Sequence, residues 1–145
     1  MTSSALDTLI ELATAAADEA AQRLGQALAT AEDAGKKLEL LIQYRDEYAQ
    51  RFNAALRAGL SPAGYQNFRN FIEKLDAAIS SQQLVVQQAR QAVDAERGNW
   101  QASERKRMSF DTLATRAQKA AGQKASRQDQ KQMDEHASRT PLFKR

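Results

Sequence analysis

The sequence contains no cysteine, one histidine and two prolines in 145 residues. The absence of cysteine excludes disulfides, thiolate metal sites and a cysteine nucleophile, and a single histidine excludes a histidine-rich metal site. Valine and isoleucine together number only seven, which argues against a β-sheet protein. No apolar run approaches the roughly 20 residues of a membrane span, and the N-terminus lacks the features of a secretory signal. We therefore expect a cytoplasmic protein without direct membrane insertion.

Two residue types dominate what is present, 28 alanines and 16 glutamines. Alanine, glutamate, lysine, leucine and arginine make up about half of the chain, a composition typical of long helices. From Leu6 onward, steps of four and three residues reach fifteen positions, of which fourteen are apolar. Such a period predicts a coiled-coil seam. The positions are Leu6, Ile10, Ala13, Ala17, Ala20, Leu24, Ala27, Ala31, Ala34, Leu38, Leu41, Arg45, Tyr48, Phe52 and Ala55.

A helix end and a helix start follow each other within a few residues. Gly59 suits the left-handed position just past a helix end, Ser61 is a good N-cap, and Pro62 suits the first helical position. So short a connection returns the second helix alongside the first. We predict an all-α fold, a single antiparallel two-helix coiled-coil hairpin over residues 1–145. The first helix spans about 4–58, the turn 59–61, the second helix about 62–139, and a short tail 140–145.

The same period continues in the second helix from Tyr65 to Ala121, with apolar residues at thirteen of seventeen positions. Facing residues have numbers that add up to about 121, so roughly 20 residues of the second helix extend past the start of the first. Arg45 interrupts the first seam. It either forms an ion pair with Asp76, with Glu73 in reach, or extends its charged end into water.

Nothing in the sequence predicts catalysis. It has no glycine-rich phosphate loop, no metal-binding histidine spacing and no nucleophile elbow. His136 and the neighbouring carboxylates are typical of solvated helix faces. We expect neither an enzyme nor a cofactor.

Two stripes near the turn predict a lateral patch. Each runs at spacings of four, three and four residues, and the antiparallel register places them opposite each other. One interpretation is a wider core, and the other, which we favour, is a partner surface with aromatic anchors. The residues of this lateral patch are Lys37, Leu41, Tyr44, Tyr48, Phe71, Leu75, Ala78 and Gln82.

The C-terminal third is basic. Residues 97–145 hold 12 Lys and Arg against 5 Asp and Glu, whereas residues 1–96 hold 9 against 13. Five of these cations fall within about 140° of one helix face. They predict either an ordinary charged flank or a helix that docks on an acidic protein, whereas the diluting acids and the lack of interleaved aromatic residues argue against nucleic acid. This basic arc comprises Arg116, Lys119, Lys124, Arg127 and Lys131.

Three separated motifs together resemble the flagellar export protein FliJ family. They are LLIQYRDEY at residues 40–48, YQNFRNFI at 65–72 after a glycine-containing turn, and RQDQKQMDE at 127–135. Trp100, followed by a basic helix, also fits the family. The resemblance covers nearly the whole chain in length, topology and motif order.

The resemblance implies a cytoplasmic component of the bacterial type III export apparatus, peripherally associated with the inner membrane. Members are similar to the stalk of rotary ATPases. They bind the export ATPase hexamer, the export-gate membrane protein FlhA, and export chaperones. The family's gate-binding positions fall on the eight residues of the lateral patch, and its late motif places ATPase docking in the basic arc. The alternative function is a generic coiled-coil chaperone or tether for secreted cargo, without ATPase coupling.

Overall fold

The computed structural model describes residues 2–143, with side chains from 4 to 139. It consists of α1, Thr2–Ala58, and α2, Pro62–Phe143, with no strand among the described residues. The predicted all-α antiparallel hairpin is confirmed. Helix α2 extends four residues past its predicted end, because a proline disfavours helix at the preceding residue, here Thr140, without forbidding it. The last two residues of the predicted tail, 144 and 145, lie outside the described part of the chain, as does residue 1.

The turn has the predicted chemistry. Gly59 adopts a φ of 93°, the left-handed region in which a side chain would be strained, and its N–H donates to the Leu56 carbonyl at 3.3 Å. The Ser61 Oγ accepts a hydrogen bond from the N–H of Gly64 at 3.1 Å, so Ser61 caps α2. The Tyr65 N–H donates to the Ser61 carbonyl at 2.9 Å and closes the first helical turn.

The helices contribute to two compact units. The turn unit comprises Glu19–Trp100, and the terminal unit comprises residues 2–18 and 101–143 among those described. Within each unit, a segment of α1 packs antiparallel against a segment of α2. The single domain of the prediction stays a prediction.

Small apolar residues make up most of the buried positions of the turn unit. Ala34, Val86 and Ala89 make a buried cluster, against which Ala31 and Leu38 pack. Every described seam position of α1 is buried or half-buried, Arg45 included. Arg45 forms the interhelical ion pair with Asp76, which confirms the first of its two interpretations.

The terminal unit is also packed on alanine. Ala13 and Ala17 of α1 are 6% and 2% exposed. Opposite them, Ser103, Arg107 and Phe110 of α2 are half-buried. The last half-buried residue of α2 is Ala114, and residues 115–139 are all exposed. The predicted extension of α2 past its helical partner is therefore confirmed, and the segment 115–139 is called the overhang below.

Candidate protein-binding surfaces

A ladder of ring contacts connects the two helices near the turn. Tyr48 lies at its centre, with ring centroids 4.5 Å from Phe71 and 5.2 Å from Phe68. Phe52 extends it toward the turn, 5.4 Å from Phe68 and 5.5 Å from Tyr65. Aromatic pairs at these separations stabilise a fold beyond their buried area. The ladder therefore fixes the two helices against each other in this part of the turn unit.

Tyr44 ends the ladder on the solvent side. Its ring meets Phe71 edge-on at 6.3 Å, and the residue is 48% exposed. A large aromatic side chain that is held on one side by a second ring and open on the other has little side-chain entropy to lose when a partner covers it. Tyr44 therefore has the properties of an interface anchor.

The other residues of the lateral patch differ in exposure. Lys37 is exposed, whereas Leu41, Tyr48, Phe71 and Ala78 are half-buried. The patch thus combines an exposed rim with a half-buried floor, and its binding role stays a prediction.

Two members of the lateral patch also belong to the core. Leu75 is only 8% exposed. The Gln82 Nε2 donates to the Ala34 carbonyl at 3.0 Å, which fixes the amide against α1. Both positions are seam positions as well, so the wider-core interpretation applies to them.

Two exposed apolar residues next to the patch were missed from the sequence. Val85, 45% exposed, follows Ala78 by seven residues, as Ala78 follows Phe71. Leu40, 65% exposed, lies three residues after Lys37 and four before Tyr44, on the same face of α1. The seven-residue spacing was the available signal for Val85.

Ion pairs and hydrogen bonds hold the charged groups around the ladder. The Arg45 guanidinium hydrogen-bonds the Asp76 carboxylate, which raises the pKa of Arg45. The Arg69 Nη1 donates to the Tyr65 hydroxyl at 3.2 Å, and this bond, together with Glu73 at 3.7 Å, raises the pKa of Arg69. Both shifts keep the arginines charged, so no change of protonation at these arginines near neutral pH alters the patch.

The basic arc lies entirely in the overhang. All five of its cations are exposed. Within residues 4–139, none of them forms an ion pair at 4.0 Å or less. Ala117 and Ala121, beside them, are also exposed. The overhang therefore presents cations next to small apolar side chains, and its docking role stays a prediction.

Neither a metal site nor a membrane span is found in the described residues. No three side chains of the metal-binding types cluster there. No described helix combines the length and apolarity that crossing a bilayer requires.

Comparison with known proteins gives one consistent family. The family model described as "Flagellar FliJ protein" matches residues 2–145. A flagellar FliJ protein of Salmonella typhi is 34% identical over 140 residues, covering 97% of this chain and 95% of the relative. A flagellar FliJ protein of Escherichia coli strain K12 is 33% identical over the same shares of both chains. The chain therefore belongs to the flagellar FliJ protein family, whose members are non-catalytic components of the flagellar export apparatus.

Proposed function

We propose that the chain couples the export ATPase hexamer to the export gate of the flagellar type III apparatus. The observation that carries this function is the presence of two separate, uncovered surfaces of different chemistry. The lateral patch is aromatic and lies in the turn unit, whereas the basic arc is cationic and lies in the overhang. Two such surfaces suit a protein that contacts two partners at once.

The lateral patch is the proposed contact with the export-gate membrane protein FlhA. Tyr44 supports this role because it is 48% exposed and supported from behind by Phe71. Leu40 and Val85 are exposed apolar residues next to the patch, and Lys37 supplies a charge at the rim. An aromatic anchor inside an apolar surface with a polar rim is the usual composition of a protein interface.

The basic arc is the proposed contact with the ATPase ring. Its cations are exposed and have no anionic partner in the described chain, so they are available to acidic or amide groups of another protein. Charges of this kind accelerate and orient association more than they tighten it. Handling of export chaperones and peripheral association with the inner membrane from the cytoplasmic side complete the proposed function.

The decisive experiment measures ATPase activity of the cognate hexamer with added chain over a salt series. We expect the full chain to stimulate the ATPase. A double charge reversal, Arg127→Glu with Lys131→Glu, and a chain ending at Gly122 should both stimulate less, with a weaker dependence on salt. The matched control is Arg105→Glu with Lys74→Glu, which reverses two exposed cations outside the arc. If the truncated chain stimulates as well as the full one, the overhang is not the docking element.

A generic chaperone or tether is the alternative function. It predicts cargo binding with no stimulation of the ATPase by any variant. The gate contact is tested separately with purified FlhA and Tyr44→Ala, for which we expect binding about 2 kcal/mol weaker, the size of an interface hot spot. Leu84→Ala is the control, since Leu84 is 60% exposed but lies outside the patch.

A further inference from the structure

Helix α1 carries a second apolar surface that neither proposed contact uses. In the turn unit, every seventh residue from 21 to 56 is apolar. Leu28, Ile42 and Leu56 are 44%, 39% and 43% exposed. The exposed flank of a two-helix coiled coil normally carries charged residues at such positions. The members of this apolar line are Ala21, Leu28, Gly35, Ile42, Ala49 and Leu56.

The opposite flank of α1 shows the contrast. Between residues 21 and 56, its seven-residue series consists of Arg23, Thr30, Lys37, Tyr44 and Arg51, so Tyr44 is its one large apolar group there. Ile42 and Tyr44 are two residues apart, which is about 200° around a helix. The apolar line and the lateral patch therefore lie on different sides of α1. A helix with two seam rows and a third apolar row has the pattern of a bundle with more than two helices.

The apolar line has a gap in its side chains at Gly35, which is called the notch below. Gly35 has no side chain, and beyond its chain neighbours and the nearby helix backbone nothing lies within 4 Å of where its Cβ would stand. One turn later, Leu38 packs on the buried cluster of Ala34, Val86 and Ala89. Leu38 and Val86 also line an adjoining groove of about 360 Å³, whose α2 wall includes Gln83 and Arg90. A bulky side chain entering at Gly35 would therefore meet the edge of the hydrophobic core.

The charges beside the apolar line indicate the chemistry of its occupant. Glu32, Glu39 and Asp46 each lie four residues after a member of the line, so they form an acidic rim along it. Glu32 forms an exposed ion pair with Lys36 at 3.2 Å, and Asp46 is 3.9 Å from Arg45. Such exposed pairs are weak and leave the rim open to other cations.

The proposed contact needs only the middle of the apolar line, on either side of Gly35. Between Leu28 and Ile42 the face extends for about 21 Å, which matches four turns of a helix. The face is thus the size of one short helical segment.

We propose that this face binds one amphipathic helix of another protein. The partner helix seats a bulky apolar side chain at Gly35 and carries a row of Lys or Arg toward Glu32, Glu39 and Asp46. The contact is independent of the lateral patch and of the overhang, and so does not depend on the proposed contacts with the gate and the ATPase. It completes a three-helix arrangement in the turn unit.

The test uses the full chain and two synthetic helical peptides of 21 residues with a fluorescent label. Both carry leucine along one face, and one carries lysine on the adjoining flank where the other carries glutamate. Fluorescence anisotropy should show the lysine peptide binding at least tenfold tighter at low salt, with the difference shrinking as salt is added. Binding of equal strength by the two peptides would overturn the proposal.

Variants locate the binding to this face. Ile42→Lys and Gly35→Leu, the second of which fills the notch, should each weaken binding of the lysine peptide at least fivefold, with helicity confirmed by circular dichroism. Leu84→Lys, an exposed site elsewhere, should leave it unchanged. Glu39→Lys should shift the preference toward the glutamate peptide. Equal effects of Ile42→Lys and Leu84→Lys would refute the site. Sedimentation that showed a dimer abolished by Ile42→Lys would make a second copy the occupant and also refute the proposal.

Discussion

The Arg45 Nε donates a hydrogen bond to the Asp76 Oδ1 at 2.8 Å, which connects residues 31 positions apart on the two helices. Arg45 occupies a seam position that would otherwise hold an apolar side chain. Sliding one helix by a heptad would move these groups apart by about 10 Å and leave the guanidinium without its carboxylate. The pair therefore selects one register in a seam where several alanine layers look alike.

Removing the charge of Asp76 tests this register contact. Asp76→Asn should lower the urea midpoint of the chain and reduce the dependence of that midpoint on salt, because a neutral amide loses the Coulomb attraction to Arg45. Asp33→Asn serves as the control, since Asp33 is exposed and has no ion pair within residues 4–139. Equal effects of the two substitutions would contradict the assigned role of Asp76.

The two tyrosines of the ladder should behave differently. Tyr48 stacks on both Phe68 and Phe71, so Tyr48→Ala should cost about 3 kcal/mol of unfolding free energy. Tyr44 meets only Phe71 and is 48% exposed, so Tyr44→Ala should cost less than about 1 kcal/mol. Urea denaturation of both variants measures the difference. A loss at Tyr44 as large as that at Tyr48 would place Tyr44 in the core and remove the support for its role as an anchor.

The left-handed conformation of Gly59 predicts opposite effects of the same substitution at two glycines. Gly59→Ala should destabilise the chain by about 1 kcal/mol, because its φ of 93° strains any residue with a Cβ. Gly98→Ala should stabilise it by about 0.5–1 kcal/mol, because Gly98 is within α2 and has open space around its Cβ position. Thermal melts monitored by circular dichroism compare the two. A destabilising Gly98→Ala would show that this part of α2 needs its glycine.

Acid should loosen the terminal unit through Glu104. The carboxylate accepts a hydrogen bond from Arg107 at 2.8 Å, which lowers the pKa of Glu104 from its ordinary value near 4.5. A carboxyl whose pKa is lowered on folding stabilises the fold above the unfolded pKa, and this contribution is lost as the pH falls through the folded pKa. Hydrogen exchange at residues 101–114, corrected for intrinsic rates, should therefore accelerate in wild type below about pH 4.5.

Glu104→Gln should remove part of that acid dependence. Asp111 stays 3.2 Å from Arg107 and retains its own attraction, so the loss is partial. Glu135→Gln, in the exposed overhang, should leave the acid response of residues 101–114 as in wild type. A response that is identical in wild type and Glu104→Gln would assign the acid sensitivity to other groups.

The seam could be predicted from the sequence because a single period persists over many turns. All fifteen α1 positions chosen by steps of four and three are buried or half-buried. The turn could be predicted because Gly59, Ser61 and Pro62 each suit one backbone position there. A repeated apolar pattern and the conformational preferences of single residues are therefore sufficient to predict the seam and the turn.

The apolar period alone does not tell which positions have a helical partner. Ala117 and Ala121 follow the seam period but are exposed, because α1 begins at Thr2 and leaves almost nothing opposite them. Tyr65 also follows the period, yet it is 37% exposed at the start of α2. Leu75 illustrates a different difficulty, because the lateral patch and the seam share it, and only its 8% exposure assigns it to the core. The binding partners cannot be predicted from such a pattern, because half of any interface belongs to another chain.

The ladder of ring contacts also affects the order in which the parts of the chain fold. The ring contacts join residues only 13 to 27 positions apart, on either side of the turn. Closing loops of this size costs little entropy and takes well under a microsecond, whereas contacts between residues near 20 and 100 require far longer loops. The turn unit should therefore nucleate at the rings and close toward its alanine layers. On the ribosome, α1 has to wait for residues 65–71 before its first lasting tertiary contact can form.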